Sequence, residues 1–414
     1  MTVKKKAPKK RNNGLKFKGQ KILLGITGGI AIYKSAALLR ELTIEHGADV
    51  QVIMTDSALK FMSPLIFETF SGKPVWTSMF SDKEMVGVRH VEISKWADAV
   101  LISPATANII GKAANGIADD LLSTVISGAG TKTIFAAAME TGMYENPIMQ
   151  QNIKRLKDAG FGFVDPESGP LASGESGVGR LAESRVIVHS LLTHLKTGRL
   201  KGKKILVSAG PTREWIDPVR FISNPSTGRM GFSLAEAASA EGADVIVISG
   251  PTEVASPVGA ELIKVSTAEE MKNAIVEKFA ESDALVMSAA VGDYTYPEAG
   301  SEKLKKNGSD LTLNLKRTDD ILSAISGDKG DKIIVGFSVE TENIIENSKL
   351  KLHEKSMDFI VVNNPKENGA AFGHDTNKVS IIDRKGSVEE LELMSKGELS
   401  TLIIDRVSNL LNGS

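Results

Sequence analysis

Turns rich in glycine, hydroxyls and cations are the parts of this 414-residue chain best equipped for chemistry. Thr27-Gly28-Gly29 and Ala209-Gly210-Pro211-Thr212 each follow a short apolar run directly, as do Ser103-Pro104-Ala105-Thr106 and Ser288-Ala289-Ala290-Val291. Backbone N–H groups and hydroxyls at such places, where a strand gives way to a helix, are natural ligands of phosphate. A glycine turn also serves merely to reverse the chain, so the pattern alone leaves both uses open. Turn chemistry accounts for the glycines and prolines around residues 208–231, but not for Arg213, Arg220 and Asn224 clustered beside them. Cysteine is missing altogether, which excludes disulfides, zinc-thiolate sites, iron–sulfur clusters and thiol nucleophiles.

The elements that must position these turns recur along the chain. Residues 21–26 (KILLGI) and 204–208 (KILVS) read as strands buried on both faces of a parallel sheet. Residues 46–55 are echoed by 241–250 and residues 97–103 by 282–288, giving offsets of 183, 195 and 185 between partners. Near-constant spacing predicts an α/β fold of two tandem Rossmann-like (flavodoxin-like, doubly wound) parallel-sheet domains, with ligands in the crevice beyond the strands' carboxyl ends. The expected division is a basic tail over 1–18, one domain over 19–196 and a second over 203–414, with a linker near Leu200. Further strands are expected over 133–138, 161–165, 332–339, 359–363 and 379–383. Helices are expected over 147–159, 342–356 and 399–411.

Bulk composition narrows the classes. Two cores suit a chain of this length, and 50 basic against 51 acidic residues give no overall footprint of a nucleic-acid binder. Six of the eight residues Lys4–Arg11 are basic, which reads as a solvated tail. No apolar run approaches the roughly 20 residues that span a bilayer, so the expected partners are small molecules and the expected place is the cytoplasm. An NAD(P)-dependent dehydrogenase would also suit two such sheets. Neither glycine turn completes Gly-x-Gly-x-x-Gly, however, and no acidic residue closes the second strand.

Residues 28–34 (GGIAIYK), 90–98 (HVEISKWAD), 103–108 (SPATAN) and 116–122 (GIADDLL) resemble the flavin-dependent cysteine decarboxylases, over about residues 20–190. The fullest likeness is to the phosphopantothenoylcysteine decarboxylase half of the bifunctional decarboxylase/ligases of coenzyme A synthesis. The resemblance implies FMN held by Gly28, Gly29, Ile30, Thr55, Ser103 and Thr106, and a catalytic His90. The implied reaction oxidises the substrate thiol, releases CO2 and reduces the resulting enethiolate. Two positions depart from the family. Ala137-Ala138-Met139-Glu140 stands where the family has Pro-Ala-Met-Asn, and Ser173 stands where the flap segment Gly169–Arg180 carries an acidic cysteine. A hydroxyl is a far weaker acid than a thiol of pKa about 8.5. Glu140, its pKa raised by burial near the flavin, is therefore expected to supply the proton. The alternatives are loss of the reductive half, leaving an oxidised aminoenethiol, or a regulatory flavin-binding module.

From Lys203 onward, residues 208–214 (SAGPTRE), 217–220 (DPVR) and 223–231 (SNPSTGRMG) resemble the phosphopantothenate–cysteine ligases. The implied chemistry attacks the α-phosphate of a nucleoside triphosphate with the substrate carboxylate, then displaces the nucleotide with the amine of cysteine. The resemblance assigns catalysis to Asn224 and to Lys303 of Lys303-Leu304-Lys305-Lys306. It assigns nucleotide binding to Ala289, Asp293, Thr318, Asp319, Asp320, Ile321, Phe337, Lys351 and Lys355, with Asp293 a Mg2+ or ribose contact and CTP the nucleotide. The i, i+4 spacing of Lys351 and Lys355 puts both ammonium groups on one helix face. The substrates implied are 4'-phosphopantothenate, cysteine and CTP. The assembly implied is a homo-oligomer, trimeric through the flavin domains and dimeric through the ligase domains.

Overall fold

The structure is a computed structural model that describes residues 16–80, 89–300, 302–305, 311–339, 343–363 and 375–413. The basic segment Lys4–Arg11 and Lys306 of the lysine motif lie outside the described residues. The chain divides into two compact units, Leu15–Thr197 and Gly198–Ser414.

The N-terminal unit is built on five parallel strands. They are β1 (Lys21–Ile26), β2 (Asp49–Met54), β3 (Ala99–Ala105), β4 (Thr133–Ala137) and β5 (Gly162–Val164), in the order β2-β1-β3-β4-β5. All but the first residue of β1 are buried, because helices cover both faces and leave no place for polar alternation. One face packs Leu24, Val52 and Leu101 against the helices Ile32–Arg40 and Ser184–Leu195. The other packs Leu23, Ile102 and Phe135 against Ala107–Ala114, Leu121–Ala129 and Pro147–Asp158. That last helix starts where the sequence predicts, with Pro147 at its first turn and Asn146 accepting from the Ile148 N–H at 2.9 Å. An order of 2-1-3-4-5 is the flavodoxin type, and its switch point lies between β1 and β3.

The main sheet of the C-terminal unit has eight strands among the described residues. These are β6 (Lys204–Ala209), β7 (Asp244–Ser249), β8 (Glu261–Lys264), β9 (Ala284–Met287), β10 (Ile333–Val339), β11 (Phe359–Asn363), β12 (Val379–Asp383) and β13 (Val388–Glu390). Their order is β8-β7-β6-β9-β10-β11-β12-β13. The first six are parallel in the 3-2-1-4-5-6 Rossmann order, with the switch point between β6 and β9. The last two each pair antiparallel with the strand before them. Only four residues join β12 to β13, too few for the dozen or more that a parallel crossover needs. The terminal helix Lys396–Asn412 opens on a Ser395/Glu398 capping box and buries Leu399, Ile403 and Val407 in this unit's core.

Candidate functional site

At the switch point of the N-terminal sheet lies a cleft of ≈ 1300 Å3, lined by the turns after β1, β2 and β3 and by residues 138–140, 170–173 and 179–181. Gly28 has no room for a side chain: a Cβ there would lie 2.5 Å from the Ser57 Cβ and 2.8 Å from its carbonyl carbon. Thr27 ties two of the turns together, its hydroxyl donating to the Pro104 carbonyl at 2.6 Å and toward the Thr106 hydroxyl at 3.3 Å. Thr106 occupies the N-cap of Ala107–Ala114 without bonding that helix through its side chain. The first helical donor to find a carbonyl is the Ile110 N–H, on Thr106, so those of Ala107, Asn108 and Ile109 lie ahead of the ladder, on residues that line the cleft. Gly29 and Ile30 line it too, as does Thr55, whose hydroxyl accepts from the Ala58 N–H at 3.3 Å. Ser103 does not join the lining. It is fully buried, and its hydroxyl has no hydrogen-bond partner.

A hairpin of Glu167–Pro170 and Ser176–Arg180 closes one wall. It approaches by its backbone. A Cβ on Gly179 would stand 2.0 Å from the Met139 carbonyl oxygen, and one on Gly177 would stand 2.2 Å from the Thr141 hydroxyl. The exposed Ser173 sits in the hairpin's turn and lines the same cleft as Glu140. The expected burial of Glu140 is not found. Its side chain is exposed and caps the helix Thr141–Glu145, accepting from the Met143 N–H at 3.1 Å, because residue 140 lies past the last buried residue, Ala138, where the chain turns into that helix. His90 stands half-buried on the helix Arg89–Trp96 and is absent from the described lining.

Three cations that carried no role in the sequence reading line the cleft. Lys112 is held between Asp119 at 2.6 Å and Asp120 at 2.7 Å. Burial alone would push Asp120 up, but hydrogen bonds from Lys112 and Ser123 prevail and hold it low. The ammonium of Lys34 donates to the Leu181 carbonyl at 2.9 Å, and burial and then the neighbouring Arg180 lower its pKa. Arg180 pairs with Glu167 at 3.0 Å.

In the C-terminal unit the strand-tip loops are laced together. The Ala290 N–H donates to the Gly210 carbonyl at 2.9 Å, and the Ala289 N–H to the Ser208 hydroxyl at 3.1 Å. The Gly292 N–H donates to the Thr212 hydroxyl at 2.9 Å. Thr318 joins the same loop, its hydroxyl donating to the Gly292 carbonyl at 2.7 Å and its N–H to the Asp293 carbonyl at 3.0 Å. A hairpin of Arg213–Trp215 and Phe221–Ser223 ends at Asn224, whose amide donates to the carbonyls of Ala290 and Val291, both at 3.1 Å. Asn224, Ala289, Asp293 and Thr318 therefore share one loop cluster beside the switch point.

The turn of that hairpin also reaches Lys303. Asp217, its side chain wholly buried, accepts the Leu304 N–H at 3.1 Å, and Arg220 donates to the Leu304 carbonyl at 3.0 Å. Lys303 itself is exposed.

Asp320 caps the helix Ile321–Ile325 and pairs with Lys355 at 2.6 Å. Asp319 pairs with Lys272 at 2.5 Å. The helix carrying Lys351 ends at Glu354, so Lys355 is its C-cap, yet the Lys355 N–H still bonds the Lys351 carbonyl at 3.1 Å and preserves the turn. Phe337 lies half-buried on β10 against the core. No group of three acidic or histidine side chains that could hold a metal occurs among the described residues, and no described helix is long and apolar enough to cross a membrane.

Comparison with known proteins gives the same two-part division. The flavoprotein family model matches residues 10–196, and the model of the DNA/pantothenate metabolism flavoprotein C-terminal domain matches residues 200–411. The coenzyme A biosynthesis bifunctional protein of Bacillus subtilis (strain 168) is 44% identical over 393 residues, 94% of this chain and 97% of its own. That of Vibrio parahaemolyticus is 39% identical over 397 residues, covering 95% and 99%. A cysteine/cysteine sulfinic acid decarboxylase from an unknown prokaryotic organism is 40% identical over 358 residues, 85% of this chain and all of its own. With a flavodoxin-type cleft ahead of a Rossmann-type sheet, each matched by its own model, the chain belongs to the family of coenzyme A biosynthesis bifunctional proteins.

Proposed function

We propose that the C-terminal unit ligates 4'-phosphopantothenate to cysteine with CTP, and that the N-terminal unit decarboxylates the product to 4'-phosphopantetheine with FMN. In the ligation a substrate carboxylate oxygen attacks the α-phosphorus, the bond to pyrophosphate breaks, and an acyl-cytidylate forms. The amine of cysteine then attacks the acyl carbon, CMP leaves, and the amine's proton passes to solvent. Charge gathers on phosphoryl oxygens and then on the acyl carbonyl, so cations and N–H donors must converge there. Lys303 and Lys355 are suited to the triphosphate, and the Asn224 amide to the carbonyl. A lone exposed carboxylate such as Asp293 fits Mg2+, which usually takes one or two protein carboxylates and completes its shell with substrate phosphate and water.

The observation that carries the N-terminal reading is the row of open N–H donors on Ala107, Asn108 and Ile109 beside Gly28, in a cleft large enough for a nucleotide. FMN held there supplies a two-electron oxidation of the substrate thiol and returns the pair after CO2 is lost. The loops of Gly28–Ile30 and Thr106–Ile109 would hold its phosphate. Glu140, on the cleft wall with Ser173, is the proton donor of this reading in place of a cysteine. His90 lies outside its own cleft, and the homo-oligomer of this reading lets a neighbouring copy deliver it.

Incubation with 4'-phosphopantothenate, cysteine, CTP and Mg2+, followed by mass spectrometry, tests both halves. Formation of 4'-phosphopantetheine is expected, and free cysteine alone should lose no CO2. Glu140→Gln should stop the reaction at the oxidised aminoenethiol, and full conversion by that variant would end the proton-donor assignment. Calorimetric titration should favour CTP over ATP, and equal affinities would refute the nucleotide choice.

A further inference from the structure

We infer that Asp217 and Arg220 form a latch that positions Lys303 beside Asn224, acting on the main chain of Leu304. The inference rests on the proposed role of Lys303 in ligation. Asp217 lies in the turn Asp217-Pro218-Val219-Arg220 between the two strands of the hairpin that ends at Asn224. One carboxylate oxygen closes that turn, accepting the N–H groups of Val219 at 2.8 Å and Arg220 at 2.9 Å. The other accepts from the Arg220 guanidinium, through Nε at 2.8 Å and also through Nη2, and takes the Leu304 N–H. Arg220 Nη2 then donates to the Leu304 carbonyl. Both backbone groups of Leu304 are therefore taken by one ion pair from 84 to 87 residues away in sequence, as a neighbouring strand would take them.

The pairing holds Lys303 by its neighbour's main chain and leaves the lysine side chain exposed. Bonds to charged partners in a buried setting are the strong kind. The Arg220 guanidinium keeps the Asp217 carboxyl well below the usual carboxylate range despite its burial, so the latch keeps its charge at any pH at which the enzyme would work. The same hairpin fixes Asn224 against the carbonyls of Ala290 and Val291. A single rigid element thus sets the amide and the lysine relative to each other, which is what a reaction needing both at one substrate requires.

The test uses the full chain with Asp217→Asn and Arg220→Gln. Asparagine places an N–H2 group or a weaker acceptor where three donors now converge, and glutamine removes the donor to the Leu304 carbonyl. Limited trypsin cleavage after Lys303 and Lys305, read by mass spectrometry, should accelerate on the order of ten-fold or more in both variants as the segment opens. Cleavage elsewhere should be unchanged. Ligation should lose kcat with a smaller change in the KM for cysteine, and Leu304→Ala, which keeps the main-chain bonds, should behave as the parent in the proteolysis.

Cleavage at the parental rate in both variants would overturn the latch. Faster cleavage with unimpaired ligation would overturn the positioning role and, with it, the assignment of Lys303. A parent chain that ligates nothing would refute the proposed function, while the proteolysis would still decide whether the latch exists.

Discussion

Replacing Gly28 by alanine should loosen the flavin site while the rest of the N-terminal unit stays folded. The added methyl would stand 2.5 Å from the Ser57 Cβ and under 3 Å from that residue's carbonyl carbon and oxygen. Backbone atoms cannot swing aside as a side-chain end can, so the glycine turn must retreat by about 0.9 Å to reach ordinary contact. Overpacking of this kind costs about 1–3 kcal/mol. The turn that would retreat is the one proposed to hold the FMN phosphate, so the same energy should appear as roughly 5- to 150-fold weaker binding. Titration of apo-protein with FMN, followed by quenching of flavin fluorescence, measures this directly. Gly29→Ala is the matched control for stability, because its methyl would meet the Thr106 Cγ2 at 3.4 Å and the Pro104 Cγ at 3.9 Å, both near ordinary contact. Thermal unfolding of the apo-protein should therefore be lowered by Gly28→Ala and not by Gly29→Ala. Parental FMN affinity in Gly28→Ala, to within about twofold, would refute the reasoning.

Lys329→Met should destabilise the C-terminal unit. Its ammonium is buried against Asp358 at 2.8 Å and the Ser356 carbonyl at 2.6 Å, and removing it strands the carboxylate. Arg384, 3.5 Å from the other oxygen, should keep the loss near the lower end of about 3–5 kcal/mol. That corresponds to a fall of roughly 6–12 °C in melting temperature by circular dichroism, and an unchanged Tm would contradict it. Glu41 carries a pH prediction. A hydrogen bond from His46 holds its carboxyl below the ordinary 4.5 despite burial, so its stabilisation is present above that value and is lost as pH falls through the lowered pKa. Urea unfolding of Glu41→Gln should match the parent below that window and be weaker above it, and a constant difference at every pH would exclude the linkage. Arg180→Gln should break the cross-strand ion pair with Glu167 inside the hairpin and raise hydrogen exchange at Ser176–Gly179. Unaltered exchange there would show that the glycine contacts on Met139 and Thr141 suffice to hold it.

The strands were readable because burial on both faces leaves continuous apolar runs, and β1, β3, β6 and β9 stand where those runs do. Their order was not readable. Whether a sheet runs 2-1-3 or 3-2-1 depends on what lies beyond the second strand. In the C-terminal unit that is β8, four residues of which none is buried, with only the pair Leu262-Ile263 as an apolar signal inside it. In the N-terminal unit the same edge carries only a single parallel bridge between Ile53 and Trp76. Side-chain environments were the least legible feature. Glu140 directly follows the apolar run 134–139 and so invites a buried reading, yet the chain turns there into a helix that the carboxylate caps. Lys112 belonged to none of the motifs, and its clamp by Asp119 and Asp120 depends on packing between two helices. The tie from Asp217 to Leu304 spans 87 residues and leaves no periodicity to detect.

The two units solve one shared problem in the same manner. A parallel sheet covered on both faces is filled with aliphatic side chains, and a charged group placed inside it would be costly without a partner. Reactive side chains are therefore confined to the strand tips, where loops alone would hold them loosely. Each unit answers with a small hairpin outside its sheet. In the N-terminal unit Gly177 and Gly179 let the hairpin press its backbone onto Thr141 and Met139, on the wall of the cleft that Ser173 and Glu140 also line. In the C-terminal unit the hairpin is pinned by Asn224 at one end and by the Asp217–Arg220 pair at its turn. The glycines of the first hairpin and the ion pair of the second do the same physical job. Each removes the slack between a rigid sheet and the groups that must meet a substrate, so a change at either should disturb the chemistry before it disturbs the fold.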